Sequence, residues 1–203
     1  MERYLILFGR FLRALTIGHI RWKCSTDVLN AANFNLIERL YFEGTNLLHV
    51  TSAELQTLLR KVAKTVTTLW FSHCRNDACL NQETLLTILA CSQLQELRLV
   101  AVTAVTDEIL TAIGLHLPKV ASLSVEKCFN VHNTGIQNWV ESCLSNAQVY
   151  QLNVKHTKFD VSTFDNFNLA QLRRCGILQK HWTHNGWWFV AHDATVVHIL
   201  FTS

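Results

Sequence analysis

Apolar residues recur along this chain in a nine-residue phrase, LxxLxLxx followed by Cys or a small apolar or Thr residue, six times at 25- to 29-residue intervals. The first copy is Leu12, Leu15, Ile17 and Ile20. The next are Ile37, Leu40, Phe42 and Thr45, then Val66, Leu69, Phe71 and Cys74, then Leu94, Leu97, Leu99 and Val102. Val120, Leu123, Val125 and Cys128 form the fifth, and Val149, Leu152, Val154 and Thr157 the sixth. Alternation within the phrase predicts a short strand. A polar stretch follows each phrase, bounded by apolar residues five positions apart: Cys24 and Leu29, Val50 and Leu55, Leu80 and Leu85, Val105 and Leu110, Val131 and Ile136, Phe159 and Phe164.

That polar stretch carries helix-start signals. Thr51 with Glu54 reads as a capping box, and Asn81, Thr106 and Asn133 stand where N-caps belong. Apolar residues then recur at helical spacing, as in Leu55, Leu58, Leu59 and Val62, or Ile136, Trp139, Val140 and Cys143. Each unit is therefore expected to be a strand, a turn and a helix of two to three turns. One such unit cannot bury its apolar face alone, so units stack. The expected fold is an α/β solenoid of about six repeats, a horseshoe with a parallel sheet on the concave face and helices on the convex face.

The stretch from Leu94 to Ile136 resembles the cysteine-containing leucine-rich repeat. Val105-Thr-Asp-Glu-Ile-Leu110 stands for the "ITDEGL" of that pattern, with Ile109 in place of Gly, and Ser124-Val-Glu-Lys-Cys128 for its strand-to-cysteine step. Over roughly residues 12 to 170 the chain is similar to the repeat domain of F-box/leucine-rich-repeat proteins and to the antagonist-of-mitotic-exit-network family. The resemblance implies substrate recognition in an SCF-type ubiquitin-ligase pathway, with a protein target and ubiquitin-ligase components as partners. The first phrase begins at residue 12, which leaves no room ahead of it for a three-helix F-box. The organisation read from the pattern is an N-terminal cap or remnant helix over 1–11, the repeats over 12–172, and a divergent cap or tail over 173–203.

Third, fifth and seventh positions of each phrase alternate with the buried ones and are expected on the concave face. They give Ala14, Thr16 and Gly18; Arg39, Tyr41 and Glu43; Thr68, Trp70 and Ser72; Glu96, Arg98 and Val100; Ser122, Ser124 and Glu126; Gln151, Asn153 and Lys155. The expected partner-binding residues are Arg39, Tyr41, Glu43, Trp70, Ser72, Glu96, Arg98, Glu126, Asn153 and Lys155. Trp, Tyr and Arg dominate binding hot spots, so Tyr41 and Trp70 beside Arg39 and Arg98 form the centre of that surface. The blander reading has Trp70 covering its neighbours and the arginines paired to Glu43 and Glu96.

Composition narrows the picture. Hydrophobic residues make up 49% and charged ones 16%, enough for one cored body with no Pro/Gly/Ser-rich linker. Seven cysteines at irregular spacing describe no disulfide framework, and their core positions suit a reduced compartment, cytoplasmic or nuclear. His73, Cys74 and Cys79 have the wrong spacing for zinc, and Cys175, His181, His184 and His192 match no ligand set well. No metal or cofactor is expected. No phosphate loop, GxSxG elbow or HExxH occurs, and no enzyme is expected. No stretch is long enough to span a membrane.

Charge is uneven along the chain. Residues 1–23 hold five basic side chains and one acid, residues 24–148 have a net charge of −3, and residues 149–203 of +2. The acidic middle argues against a nucleic-acid track. Were residues 3–13 helical, Tyr4, Phe8 and Phe11 would share one face and the arginines another. This segment reads as a cap over the first Leu row or as a mitochondrial presequence. The alternatives to the ubiquitin reading are a stand-alone scaffold or inhibitor and a mitochondrial assembly factor. Residues 178–203, with Trp182, Trp187 and Trp188, read as a closing cap or an alternative ending.

Overall fold

The computed structural model describes residues 2–19, 25–143, 149–160, 177–183, 186–191 and 196–200. The fold is α/β, parallel strands alternating with helices. Two compact units meet in sequence between Arg98 and Leu99, inside the fourth phrase.

In the first unit the order is α1 (Glu2–Phe8), a 3-10 turn (Gly9–Phe11), β1 (Ala14–Gly18), α2 (Thr26–Ala31), β2 (Arg39–Glu43), α3 (Ser52–Val62), β3 (Thr68–Ser72) and α4 (Gln82–Ile88). β4 (Glu96–Val100) begins in it. Strands lie in chain order, β1 to β4. The register is that of equivalent phrase positions: Leu15 lies against Leu40 and Leu40 against Leu69, and Ile17 against Phe42 and Phe42 against Phe71. Matched positions therefore stack into apolar rows, and the Phe42 and Phe71 rings lie parallel with centroids 4.7 Å apart. Leu40, Phe42, Leu69, Phe71 and Leu97 are fully buried, each worth about 1.5–3 kcal/mol of transfer free energy. The first row is looser. Leu12 and Leu15 are only half-buried, and a cavity of about 110 Å³ opens between Leu5, Leu15, Ile17, Leu29 and Phe34.

The second unit holds α5 (Asp107–His116), β5 (Ser122–Ser124), α6 (Asn133–Cys143), β6 (Val149–Asn153), β7 (Ile177–Thr183), β8 (Gly186–Ala191) and β9 (Val196–Leu200). β5 pairs parallel with β6, and Leu123 opposes Leu152. The apolar pattern assigns no strand beyond residue 172, yet β9 runs parallel to β6, with β8 and then β7 added antiparallel. Buried Trp139 packs edge-on against buried Tyr150, 5.9 Å between centroids, and the Tyr150 hydroxyl donates to the Pro118 carbonyl at 3.3 Å.

Helix starts follow local sequence. Thr51 and Glu54 close a reciprocal capping box, and Asn81 and Thr106 accept from the backbone N–H groups of Thr84 and Ile109. Ser25 caps α2 in the same way, a start the pattern does not single out. Asn133 is a correction: it is the first residue of α6, and its side-chain amide is held instead by the backbone of Asp160, 2.8 Å in both directions.

One device recurs at the end of every phrase and a second at the end of three. The eighth residue lies in the left-handed region in all six: His19, Gly44, His73, Ala101, Lys127 and His156, with φ between 51° and 59°. This reverses the chain after each strand, and only Gly44 has the residue type that adopts it freely. At three of the six the ninth residue then reaches back one phrase, whereas Val102 has no donor and Thr157 donates within its own phrase, to Val154 at 2.7 Å. Thr45 donates to the Ile17 carbonyl, Cys74 to that of Phe42 at 3.7 Å, and Cys128 to that of Leu99 at 2.9 Å. Small donors occupy these positions because only they fit inside the turn and meet a buried carbonyl.

Candidate functional site

The sheet surface of the first unit gathers most of the expected binding residues. Register places Thr16, Tyr41 and Trp70 in one row, Gly18, Glu43 and Ser72 in the next, and Ala14, Arg39 and Thr68 in the third. The Tyr41 ring meets Trp70 edge-on at 4.6 Å between centroids. On the other side the Arg98 guanidinium lies 4.0 Å above the Trp70 ring, while its Nε donates to Glu96 at 3.0 Å. Tyr41, Trp70, Arg98 and Glu96 thus form one continuous cluster.

Trp70 is neither bare nor core. It is half-buried, flanked by Tyr41 and Arg98, and its indole N–H is shielded with no hydrogen-bond acceptor among the described residues. A buried unpaired donor costs about 1–3 kcal/mol, so this ring is held at a local expense that packing alone does not require. Arg98 pairs with Glu96, as the blander reading has it, but Arg39 and Glu43 are both exposed and form no ion pair among the described residues. The neighbouring Arg13 pairs with Glu38 one row below.

In the second unit Glu126, Asn153 and Lys155 are half-buried and linked locally. The Asn153 amide donates to Glu126 at 3.4 Å and accepts from the Lys155 backbone N–H at 3.1 Å. Two residues expected on the open face are buried instead, Val100 at 6% and Ser124 at 9% exposure. Ser124 ends β5, which is only three residues long, and Val100 is the last residue of β4; alternation does not decide exposure where a strand ends.

A second concavity was not visible in the apolar pattern. Between α5 and α6 an open groove of about 460 Å³ is lined by Asp107, Glu108, Thr111, Leu115, His116 and Asn138. Asp107 is committed to its neighbour: Oδ1 accepts the His132 backbone N–H at 2.7 Å and Oδ2 lies 3.4 Å from His132 Nδ1. The Asn138 amide donates to the Thr111 hydroxyl at 3.1 Å. The one signal in sequence was Leu115, an apolar residue off the buried helical face, which is 63% exposed.

Burial disfavours the thiolate at four of the described cysteines. Burial pushes the thiols of Cys74 and Cys91 up to about 12 and that of Cys79 to about 11, and raises Cys143 as well. No group of three or more metal-ligating side chains occurs among the described residues. Cys175, His184 and His192 lie outside them. No helix among the described residues is long and apolar enough to cross a membrane.

What this geometry defines is a class no narrower than an α/β protein with an aromatic–arginine cluster on a sheet surface. No protein-family model matches the chain, and no curated protein sequence does either.

Proposed function

We propose that this chain is a leucine-rich-repeat solenoid acting as a non-catalytic protein-recognition module, its strand-lined surface contacting a protein target. The observation that carries the reading is the cluster of Tyr41, Trp70 and Arg98. Aromatic and arginine side chains lie against one another on a strand face, and the indole N–H lacks an acceptor. Such groups supply most of the energy of protein interfaces, about 2 kcal/mol or more for each anchor. Arg98 is the adaptable member: an incoming acceptor that draws it from Glu96 uncovers the Trp70 ring. The matched register and the repeated turns support the solenoid reading.

Within that class, recognition of a target in an SCF-type ubiquitin-ligase pathway is the role the repeat resemblance favours. The test is to purify the tagged chain from cells and identify its bound proteins by mass spectrometry, alongside Trp70→Phe/Arg98→Ala. That pair keeps a ring in place and removes the indole N–H and the guanidinium. The expected result is a partner lost from the variant while its thermal melt stays within a few degrees of wild type. Cullin and its adaptor among the partners would support the ubiquitin role. Another partner lost in the variant, without them, makes the chain a stand-alone scaffold. Unchanged binding would remove the cluster from the interface.

A further inference from the structure

We propose that the N-terminal helix is a docking element for an anionic lipid bilayer, laid on the membrane surface and not across it. α1 and the 3-10 turn after it are held to the body of the first unit by one side only. Leu5 is buried, and Gly9 sits so close to the chain that an added Cβ would meet the Asn33 carbonyl at 2.8 Å and the Phe34 ring at 3.2 Å. That anchoring fixes which face points away. Tyr4, Leu7, Phe8 and Phe11 stand 68%, 61%, 49% and 63% exposed, and Tyr4 stacks on Phe8 with centroids 6.1 Å apart. On a helical wheel these four span about one third of the circumference, with Gly9 across from them and Leu5 at their margin, while Ile6, 42% exposed, lies outside that sector.

Why this face should meet lipid is a matter of which groups border it. Arg3 and Arg10 fall side by side on the wheel next to the apolar sector, both exposed, and the Arg10 guanidinium lies 4.7 Å from the Phe11 ring centre. Residues 1–13 hold three arginines and one acid, Glu2, at the start of α1. Arg13 is taken by Glu38, while Arg3 and Arg10 form no ion pair among the described residues. An apolar aromatic stripe edged by arginine is the composition that settles at the headgroup boundary, rings in the acyl region and guanidinium groups on phosphates. An anionic bilayer accepts the rings and attracts both arginines at once.

The test is sedimentation of the full chain with vesicles of phosphatidylcholine alone, and with vesicles in which one lipid in four is phosphatidylserine. Binding is expected only to the second, falling as salt is raised. Tyr4→Ser/Phe8→Ser/Phe11→Ser should weaken it at least about tenfold, and so should Arg3→Gln/Arg10→Gln, which leaves the apolar stripe intact. All five side chains are exposed, and a circular-dichroism melt matching wild type verifies that each variant is folded. No sedimentation with either vesicle overturns the proposal, as does equal binding by wild type and both variants. Self-association that the aromatic variant abolishes, in a chain that ignores vesicles, also overturns it and makes the occupant a second copy. Because the Trp70 and Arg98 substitutions lie elsewhere, they should leave vesicle binding unchanged.

Discussion

Cys74 illustrates how position governs chemistry at the scale of one residue. Its thiol faces inward to the Phe42 carbonyl while the adjacent His73 is exposed, so the two do not form a reactive pair. Burial holds its pKa at about 12. Iodoacetamide at pH 8 should therefore leave Cys74, Cys79 and Cys91 unmodified in the folded chain and label all three in urea. Peptide mapping would show this, and labelling of native Cys74 at the unfolded rate would refute its burial. A linked consequence concerns pH. The thiol pKa is higher folded than unfolded, so the folded state gains fully below the unfolded value of about 8.5 and loses that gain as pH rises toward 12. Urea midpoints should fall across that alkaline window, and less so in Cys74→Ser/Cys91→Ala.

Local elements divide into those the sequence announces and those it conceals. Thr51, Asn81 and Thr106 were legible as caps because the bonds they make lie three residues away. Thr51→Ala should cost about 1 kcal/mol, read as a lowered urea midpoint. Asn133 misled for the opposite reason: its partner, Asp160, is 27 residues distant. The left-handed turns were also concealed, since His, Ala and Lys give no hint of positive φ. Gly44→Ala should destabilise by about 1 kcal/mol or more, because the new Cβ would stand 2.6 Å from His19 Nδ1 at φ +58°. Ala101→Gly, at φ 59°, should be neutral or mildly stabilising. Opposite responses to these two exchanges in thermal melts would verify the turn; equal ones would refute it.

For the molecule as a whole, the apolar rows were readable from phrase spacing alone, and Leu97 at 0% exposure is one of them. Leu97→Ala should cost about 2–5 kcal/mol by opening a cavity, a large share of the roughly 5–15 kcal/mol that holds a domain folded. Hydrogen exchange should quicken together in β3, α4 and β4, not at one site. A wild-type urea midpoint would show the register to be wrong. The proposed binding surface was less legible than the core. Tyr41, Trp70 and Arg98 were placed by alternation, but the edge-on ring contact, the guanidinium over the indole and the orphaned indole N–H depend on three separate phrases. Strands β7 to β9 were hidden altogether, because their residues do not follow the phrase.

The left-handed eighth positions also act as punctuation. Successive ones are spaced 25, 29, 28, 26 and 29 residues apart. The variation is taken up by the helices, six to eleven residues long, and the loops beside them. The nine-residue phrase and the turn at its eighth position keep their length. A chain built this way edits well only in whole sentences. Excising one full span, for example residues 45–73, rejoins a turn to a turn and keeps every apolar row in phase. Removing five residues from within a strand and its turn does not. Lineages that lengthen or shorten such a protein should do so by whole spans, or by drift within the helices.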